Sequence, residues 1–270
     1  MINLLFAGND KVFDGILTCL LSIFHRSDVS KPVKAYVLTM NLTRVKPEYT
    51  AISDERIDFL RSVMREYGED NDVEKIDVTD LYESEFAFCP NEDAYCSPYT
   101  LLRLFADKAD IPAEKLLYLD ADIMFNRDID VSDVEYAAAR DHYGKFLVNP
   151  NYVNGGVMLF NMNKVKETGL LCKARALIKK KKLPFADQSA IIRSTAKKKM
   201  LPQKFNDQKF LHKHTVVRHF SKRLFDFPYP HTDNIKQWHV EKVRKVFGYT
   251  CFDDIYQKYD YYKKLFEESK

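Results

Sequence analysis

The chain has 270 residues, 46% of them hydrophobic, which suits one large α/β domain or a domain with an appendage. Its 42 basic residues nearly balance 39 acidic residues, so bulk charge gives no indication of nucleic-acid binding. No apolar run approaches the roughly 20 residues that cross a bilayer, and we expect no signal peptide. Five scattered cysteines, at positions 19, 89, 96, 172 and 251, predict reduced thiols and a cytoplasmic protein.

The first part of the chain alternates between short apolar runs and segments with helical periodicity. Ile2 to Ala7, Val33 to Leu38 and Val73 to Val78 are predicted strands. Between them, Lys11 to His25 and residues 57–67 carry apolar residues along one helical face. Strands and helices that alternate at this spacing predict right-handed crossovers and a parallel sheet.

A polar stretch and a further helix follow. Asp80 to Cys96 is predicted to be an irregular loop, and Pro98 then begins a helix, because proline is favoured in a first helical turn. Arg103 falls near the apolar face of this helix. A buried arginine needs an anionic partner, whereas a surface salt bridge would give the same spacing, so both alternatives stay open.

The most informative stretch is an apolar run, Leu116 to Leu119, that stops at two acids, Asp120 and Asp122. We interpret the run as a central strand buried on both faces. Residues i and i+2 of an extended chain point the same way, so both carboxylates would aim at one point beyond the strand end, where open α/β sheets bind ligands. Adjacent carboxylates repel unless a cation lies between them, and oxygen ligands suit Mg²⁺ or Mn²⁺. The pattern therefore favours a metal-held diphosphate site over a plain strand end and turn.

Two further strands carry polar residues at their ends. Tyr136 to Ala139 is a predicted strand that ends at Asp141. Val157 to Phe160 is another, and it follows Asn154-Gly155-Gly156. Two adjacent glycines either let the backbone approach a ligand closely or form a simple turn.

The last part of the chain is predicted to be mainly helical. Asn163 to Lys182 and Phe185 to Thr195 read as helices, and Thr215 to Phe220 as a late strand. Lys236 to Lys270 is predicted to be a helical appendage. Its aromatic residues and lysines interleave in Tyr256 to Lys264, which suits either a helix docked on the main domain or contact with an anionic membrane surface.

Three motifs, in this order, resemble glycosyltransferase family 8, which includes lipopolysaccharide galactosyl- and glucosyltransferases and glycogenin. Leu117 to Asp122 resembles the family's Tyr-Leu-Asp-x-Asp signature, Asn154 to Asn161 its Asn-x-Gly-Val-x-Leu-x-Asn stretch, and Ala186 to Ser189 its Asp-Gln-Asp segment. The resemblance extends from Ile2 to about Phe220. It implies a GT-A fold with a Rossmann-like, mostly parallel central sheet, a UDP-hexose donor, Mn²⁺ or Mg²⁺, and transfer that retains the anomeric configuration.

Carried over residue by residue, the resemblance implies three roles. Asp120 and Asp122 are expected to bind the metal together with His219, which matches the family's third ligand. Asp187 and Gln188 are expected beside the anomeric carbon and the acceptor, as the catalytic residues. Besides the two acids, the residues expected around the donor are Ala7, Gly8, Asn9, Asp10, Arg103, Ala121, Asp141, Asn154 and Gly155.

The chain departs from the family pattern in two places. The family's glycine and Lys-Pro-Trp segment do not follow His219, so Lys222 or Arg223 is predicted to supply the cation that holds the leaving diphosphate. After the first strand, Val12 and Phe13 stand where the family commonly has a tyrosine that stacks on uracil.

The resulting hypothesis is a hexosyltransferase that acts on a lipopolysaccharide-type or other glycan acceptor. We expect a catalytic domain over residues 1–235 and a tail over residues 236–270, in the cytoplasm, with peripheral contact at the inner membrane face as one alternative for the tail. Two other classes remain. A phosphohydrolase with an aspartyl nucleophile would carry its acid pair on the first strand, whereas this pair lies mid-chain. A non-catalytic UDP-sugar binder would have lost turnover with the Lys-Pro-Trp segment.

Overall fold

The computed structural model describes residues 1–26, 31–92, 97–126, 136–195, 197–227 and 229–269. A seven-stranded sheet in the order β3-β2-β1-β4-β7-β6-β8 forms its centre, and β7 is the one described strand of this sheet that runs against its neighbours. The strands are β1 (Ile2–Ala7), β2 (Val33–Thr39), β3 (Asp72–Asp77), β4 (Lys115–Leu119), β5 (Ile123–Phe125), β6 (Tyr136–Arg140), β7 (Val153–Asn161), β8 (Lys198–Leu201), β9 (Val217–His219), β10 (Arg223–Phe225) and β11 (His231–Asp233).

Helices cover both faces of the sheet, and each face has its own apolar core. The sequence prediction of an α/β fold with a mostly parallel sheet is confirmed. The helices are α1 (Phe13–Arg26), α2 (Asp54–Glu66), α3 (Thr79–Phe86), α4 (Gly144–Leu147), α5 (Met162–Thr168), α6 (Leu170–Lys180), α7 (Ala186–Ser194), α8 (Val240–Phe247) and α9 (Asp253–Glu268), with 3-10 helices at Asp10–Val12, Pro98–Phe105 and Gln203–Phe205.

Two predicted elements differ from the structure. The predicted loop from Asp80 to Cys96 begins with α3, whose apolar anchors are only Tyr82 and Phe86, too few to give a clear helical period; residues 93–96 lie outside the described part. The predicted helix over residues 163–182 is divided into α5 and α6 by Gly169, whose φ of +65° is a left-handed conformation that glycine adopts readily.

The acid pair does not continue β4 as an extended chain, so that part of the prediction is wrong. β4 ends at Leu119, and residues 120–122 turn the chain into β5. β5 pairs antiparallel with β9, with Ile123 opposite His219. This pairing, closed by a hydrogen bond of 2.7 Å from Phe220 N to Asp122 O, brings the distant histidine to the turn.

The C-terminal helix docks on the main domain through its aromatic face. Tyr259 Oη donates to Asp14 Oδ1 of α1 at 2.9 Å, and the Phe266 ring lies 4.8 Å from that of Phe13. The buried side chains of this face are Ile255, Tyr256, Tyr259, Tyr262 and Phe266. Since each fully buried large apolar side chain contributes about 1.5–3 kcal/mol, this face is committed to the core rather than to a membrane.

Candidate metal site

Asp120, Asp122 and His219 converge at the carboxyl end of β4. One ligand atom from each lies within 4.8 Å of the other two. His219 Nε2 is 3.0 Å from Asp122 Oδ1 and 3.8 Å from Asp120 Oδ2. The three residues predicted to hold a metal are therefore brought together by the β5–β9 pairing and the turn after β4.

A chain of side-chain amides determines which nitrogen of His219 carries the hydrogen. Asn154 Oδ1 accepts a hydrogen bond from Gly156 N at 2.9 Å, and Asn206 Nδ2 donates to the same oxygen at 2.9 Å. Asn206 consequently presents its oxygen to His219 Nδ1, 3.0 Å away, so Nδ1 is the donor of this contact. When the imidazole is neutral, as a metal ligand must be, Nε2 directs its lone pair toward the two carboxylates.

In both Asp120 and Asp122, one carboxylate oxygen accepts hydrogen bonds, and the other oxygen faces the point where the two acids and His219 converge. Asp120 Oδ1 accepts from Tyr118 Oη at 2.7 Å and from Arg103 Nη2 at 3.1 Å. Asp122 Oδ2 accepts from Lys236 Nζ. Asp122 Oδ1 is buried and accepts no hydrogen bond from the described residues. Three lone pairs thus face one point, an arrangement that is costly without a cation.

This donor set fits a small divalent cation. Two carboxylate oxygens and one imidazole nitrogen leave coordination positions for phosphate oxygens, as Mn²⁺ and Mg²⁺ prefer, although Mg²⁺ is the less suited to an imidazole. Burial alone would raise the pKa of the Asp122 carboxyl, but the ammonium group of Lys236, joined by His219 whenever its imidazole is protonated, outweighs burial and holds this pKa well below its usual range. Asp122 therefore stays ionised, as a metal ligand must.

Two glycines allow this close packing. A Cβ atom on Gly156 would lie 2.3 Å from His219 Cε1 and 2.9 Å from Asp120 Oδ2. A Cβ atom on Gly15 of α1 would lie 2.2 Å from the carbonyl oxygen of Ala121, between the two acids. A side chain at either position would displace the ligand-bearing turn or the histidine.

Arg103 connects the acid pair to the predicted catalytic residues. It is 3% exposed, and its Nε lies 2.9 Å from Asp187 Oδ2. Its guanidinium lies 4.0 Å from the centroid of the Tyr118 ring, and Nη1 donates to the carbonyl of Gly155. Of the two sequence alternatives, the structure shows the buried arginine with anionic partners. Helical spacing around Arg103 could not identify Asp187 as its partner, because Asp187 is distant in sequence.

Asp187 and Gln188 lie at the start of α7, beside Arg103 and Gly155. Burial raises the pKa of Asp187 to about 6, against the opposing effect of Arg103. Gln188 Oε1 accepts from Gly155 N at 2.7 Å, which fixes the orientation of the amide. The preceding residue, Ala186, has a φ of +32°, an unfavourable conformation of the kind that clusters at functional sites.

A cavity of about 320 Å³ opens beside the acid pair. Ala7, Gly8 and Asn9, which are expected to contact a donor, line it. Val12 also lines it, whereas Phe13 is buried in the core. The other lining residues are Lys11, Tyr49, Ser97, Tyr99, Thr100, Tyr118, Asp120, Ala121, Asp122, Lys236 and Trp238. Aromatic rings and cations therefore surround the acids.

Six residues predicted to contact the donor are not among the described residues that line this cavity: Arg103, Asn154 and Gly155, whose contacts are given above, and Asp10, Asp141 and Lys222. Asp10 Oδ1 accepts from Ser53 N at 2.8 Å. Asp141 Oδ2 accepts from Asn154 Nδ2 at 2.8 Å and so extends the amide chain behind His219. Lys222 is exposed and is not among the described residues that line the cavity. Contact of these residues with a donor stays a prediction.

The sequence analysis missed the segment Lys236-Gln237-Trp238. Lys236 and Trp238 line the cavity, while the buried Gln237 donates to Ala121 O at 2.7 Å and to Thr18 Oγ1 at 3.0 Å. The family's Lys-Pro-Trp is absent, as the sequence indicates, but Lys236 and Trp238 place a lysine and a tryptophan beside the acids. Trp238, the one tryptophan of the chain, with a lysine two residues before it, was the available signal. The strands β10 and β11 separate it from His219, so the two are farther apart in sequence than the family motif predicts.

The family model of Glycosyl transferase family 8 matches residues 33–223, which is more than half of the chain. The chain belongs to glycosyl transferase family 8. The same stretch contains the acid pair, the amide chain, Asp187 and His219, whereas Lys236 lies beyond its end. No curated protein sequence matches the chain.

Solved structures share the GT-A fold of this family 8 chain at low sequence identity. The bifunctional glycosyltransferase WbbM is 17% identical, with a TM-score of 0.65, over 95% of this chain and 51% of WbbM. The galactosyltransferase LgtC, solved with donor and acceptor sugar analogues, is 18% identical, with a TM-score of 0.62, over 95% of this chain and 96% of LgtC. GlyE of Streptococcus pneumoniae TIGR4 is 18% identical, with a TM-score of 0.61, over 96% of this chain and 63% of GlyE. The chain therefore spans about half of WbbM and less than two thirds of GlyE.

Replacing Asn206 by alanine is expected to weaken Mn²⁺ binding by this family 8 chain about 10- to 100-fold, because the acceptor that orients the His219 imidazole is lost. Isothermal titration with Mn²⁺ measures the change. The exposed Asn151 provides the control, and Asn151→Ala is expected to bind Mn²⁺ as the wild type does. Equal affinities for all three proteins would show that the amide chain does not support the metal site.

Proposed function

We propose that this protein is a retaining hexosyltransferase that moves galactose or glucose from a UDP-sugar to a glycan or lipopolysaccharide-type acceptor, with Mn²⁺ or Mg²⁺ as cofactor. The observation that carries the proposal is the convergence of Asp120, Asp122 and the Nε2 lone pair of His219 beside the cavity. Family membership supports a nucleotide-sugar donor and a glycan acceptor. LgtC, a galactosyltransferase solved with donor and acceptor sugar analogues, supports the choice of hexose.

The nucleoside is proposed to occupy the aromatic part of the cavity. The Tyr49 and Tyr99 rings pack edge to face, 5.7 Å apart, and both line the cavity with Trp238. Flat aromatic faces offer stacking contacts to a nucleobase. They stand in for the tyrosine that the sequence lacks after β1, and the backbone of Gly8 and Asn9 borders the same space.

The diphosphate is proposed to lie between the acid pair and Lys236. Asp120, Asp122 and His219 would hold the cation, which when bound supplies Lewis-acid stabilisation to the departing diphosphate. Lys236 Nζ, held on Asp122 Oδ2, adds a positive charge at the place where negative charge develops. This lysine takes the role that Lys222 or Arg223 was expected to fill.

The sugar is proposed to lie against Asp187, Gln188 and Gly155. The transition state of glycosyl transfer resembles an oxocarbenium ion, which a nearby carboxylate or amide oxygen stabilises. Asp187 is ion-paired to Arg103, and Gln188 is fixed by the Gly155 amide, so both oxygens are held in place before the donor binds. Asp141 and Asn154 are proposed to border the hexose.

The direct test is release of UDP from a panel of UDP-sugars, with and without an added glycan acceptor. We expect release from UDP-galactose or UDP-glucose that needs Mn²⁺ or Mg²⁺ and stops on chelation. The alternative of a non-catalytic UDP-sugar binder predicts UDP binding without any release. This alternative rests on the missing Lys-Pro-Trp lysine, and the position of Lys236 beside Asp122 supports the transferase instead. Release from no UDP-sugar at any metal concentration would contradict the proposed activity.

The rate of transfer is expected to fall as the pH drops through about 6. Burial raises the pKa of Asp187 to about 6, so the carboxylate gains a proton below that pH and can no longer stabilise a cationic transition state. The measurement is kcat against pH at saturating Mn²⁺, so that loss of metal does not contribute. The residual activity of Asp187→Asn should lack this acid limb. If kcat falls with decreasing pH in the same way in the wild type and in Asp187→Asn, a group other than Asp187 causes the fall.

We further propose a peripheral, cytoplasmic location and a catalytic unit that includes Lys236 to Trp238. In the part of the chain that the structure describes, no helix combines the length and apolarity needed to cross a bilayer. The expected boundary at residue 235 would assign Lys236 to the tail, yet Gln237 is buried against Gly15 and Thr18 of α1. The division into domain and tail stays a prediction, and these contacts support a later boundary.

A further inference from the structure

Large apolar side chains are exposed on three segments near the site. The segments are α4, residues 209–214, and the β10–β11 segment. Their exposed fractions run from 44% for Leu224 to 86% for Phe227. We call this set the hairpin face; its apolar members are Phe146, Leu147, Phe210, Leu224, Phe227 and Tyr229. A monomeric protein rarely exposes so many large apolar side chains on adjoining segments without a binding role.

Contacts between the segments make the hairpin face one surface. Leu224 N donates to Tyr143 Oη at 3.2 Å, which connects β10 to the residue before α4. Arg223 Nη1 donates to Lys209 O at 3.1 Å, and its guanidinium lies 5.3 Å from the Phe210 ring. The apolar side chains are therefore presented from a connected framework rather than from independent loops.

The charge of this face is positive. Residues 209–233 carry two acids, Asp226 and Asp233, and, leaving aside the buried Arg218, four basic side chains: Lys209, Lys213, Lys222 and Arg223. Lys145 adds another cation on α4. Lysine is depleted from protein–protein interfaces, whereas lysines interleaved with phenylalanine and leucine are typical of surfaces that lie on anionic lipids. We propose that the hairpin face docks on an anionic lipid bilayer.

The hairpin face adjoins the amide chain of the site. His142, next to Tyr143, donates its backbone N–H to Gln208 Oε1 at 2.8 Å, and Asp141 contacts Asn154. A bilayer bound here would hold a lipid-linked glycan near the proposed sugar position and raise its local concentration. This step rests on the proposed function and gives the acceptor class: a glycan on a membrane-anchored lipid.

The C-terminal helix supplies a matched control. α9 buries its aromatic face but leaves Tyr261 56% exposed and Leu265 37% exposed, with Lys264 beside them. On each of the two surfaces, two exposed apolar residues can thus be replaced by aspartate without placing a charge in the core. The hairpin variant is Leu224→Asp with Phe227→Asp, and the tail variant is Tyr261→Asp with Leu265→Asp.

The experiment is sedimentation of the full chain with vesicles of equal parts phosphatidylcholine and phosphatidylglycerol. We expect the wild type and the tail variant to bind equally, and the hairpin variant to bind roughly tenfold more weakly or worse, because two apolar insertions are lost and two negative charges gained. Replacing Lys145, Lys209 and Lys213 by glutamine should weaken binding and reduce its sensitivity to salt. Vesicles of pure phosphatidylcholine should bind the wild type far more weakly.

Three outcomes would overturn the proposal: no binding of the wild type to anionic vesicles, equal binding by the hairpin variant, or loss of binding in the tail variant instead. Light scattering gives a further one, since a dimer of the wild type that the hairpin variant dissociates would make this face an interface between two copies. UDP release from the donor panel, with and without a soluble glycan acceptor, measured on the same proteins, separates the two hypotheses. Vesicle binding without any UDP release contradicts the transferase alone, whereas UDP release without vesicle binding contradicts the docking surface alone.

Discussion

Replacing Asp122 by asparagine is expected to abolish the metal-dependent part of UDP binding and to lower hexose transfer by about three orders of magnitude, since several kcal/mol of metal stabilisation are lost. Asp122 directs one oxygen toward His219 and binds Lys236 with the other, so its charge would serve both the cation and the lysine. Thermal unfolding measures the binding. UDP at 100 times its Kd should stabilise the wild type by about 2.7 kcal/mol, which is a rise in Tm of roughly 5–10 °C.

Asp77 gives the matched control for this substitution. It ends β3, at the same edge of the sheet, but it is exposed and caps Thr79 instead of facing the cavity. Asp77→Asn should show the same rise in Tm with UDP and Mn²⁺ as the wild type. If Asp122→Asn also keeps the full metal-dependent rise, Asp122 is not a ligand.

Replacing Lys236 by methionine is expected to lower kcat by about 100- to 1,000-fold, the usual effect of removing one preorganised charge from a developing anion. Methionine keeps most of the apolar stem, so the fold should be retained. Mn²⁺ binding should not weaken, because the ammonium group competes with a cation for Asp122 and does not ligate it. Steady-state release of UDP, together with Mn²⁺ titration, separates the two effects.

Lys222 provides the control for Lys236, because the sequence predicts Lys222 or Arg223 as the cation that holds the leaving diphosphate. Lys222→Met removes the same charge from an exposed position that is not among the described residues lining the cavity. We expect kcat of Lys222→Met within about twofold of the wild type, as for surface changes in general. A larger loss of kcat in Lys222→Met than in Lys236→Met would show that Lys222, and not Lys236, contacts the diphosphate.

The sequence was sufficient for the parallel sheet and for naming the three residues that converge at the candidate metal site, but not for the contacts that bring these three residues together. The apolar runs at β1, β2 and β4 are local signals, and each strand lies within two residues of its predicted bounds. The convergence of His219 with the acids depends instead on the β5–β9 register, a pairing between distant three-residue strands. Such short strands carry no periodicity from which a register can be predicted.

The residues that support the site gave weaker signals. Asn206 lies between a 3-10 helix and β9, where no pattern distinguishes a buried amide from an exposed one. The burial of Arg103 followed from its pairing with Asp187, a contact between distant parts of the chain. The β10–β11 segment lengthens the chain between His219 and Lys236, so sequence spacing does not connect these two residues. In space, both of them contact Asp122.

The central claim is that Asp120, Asp122 and the Nε2 atom of His219 hold one divalent cation against the donor diphosphate. Electron spin echo envelope modulation of bound Mn²⁺ tests it most directly, because it detects nitrogen and phosphorus nuclei coupled to the metal. With UDP present, we expect phosphorus coupling and the coupling of one imidazole nitrogen, which His219→Gln removes. A spectrum without nitrogen coupling, or one that His219→Gln leaves unchanged, would contradict the account.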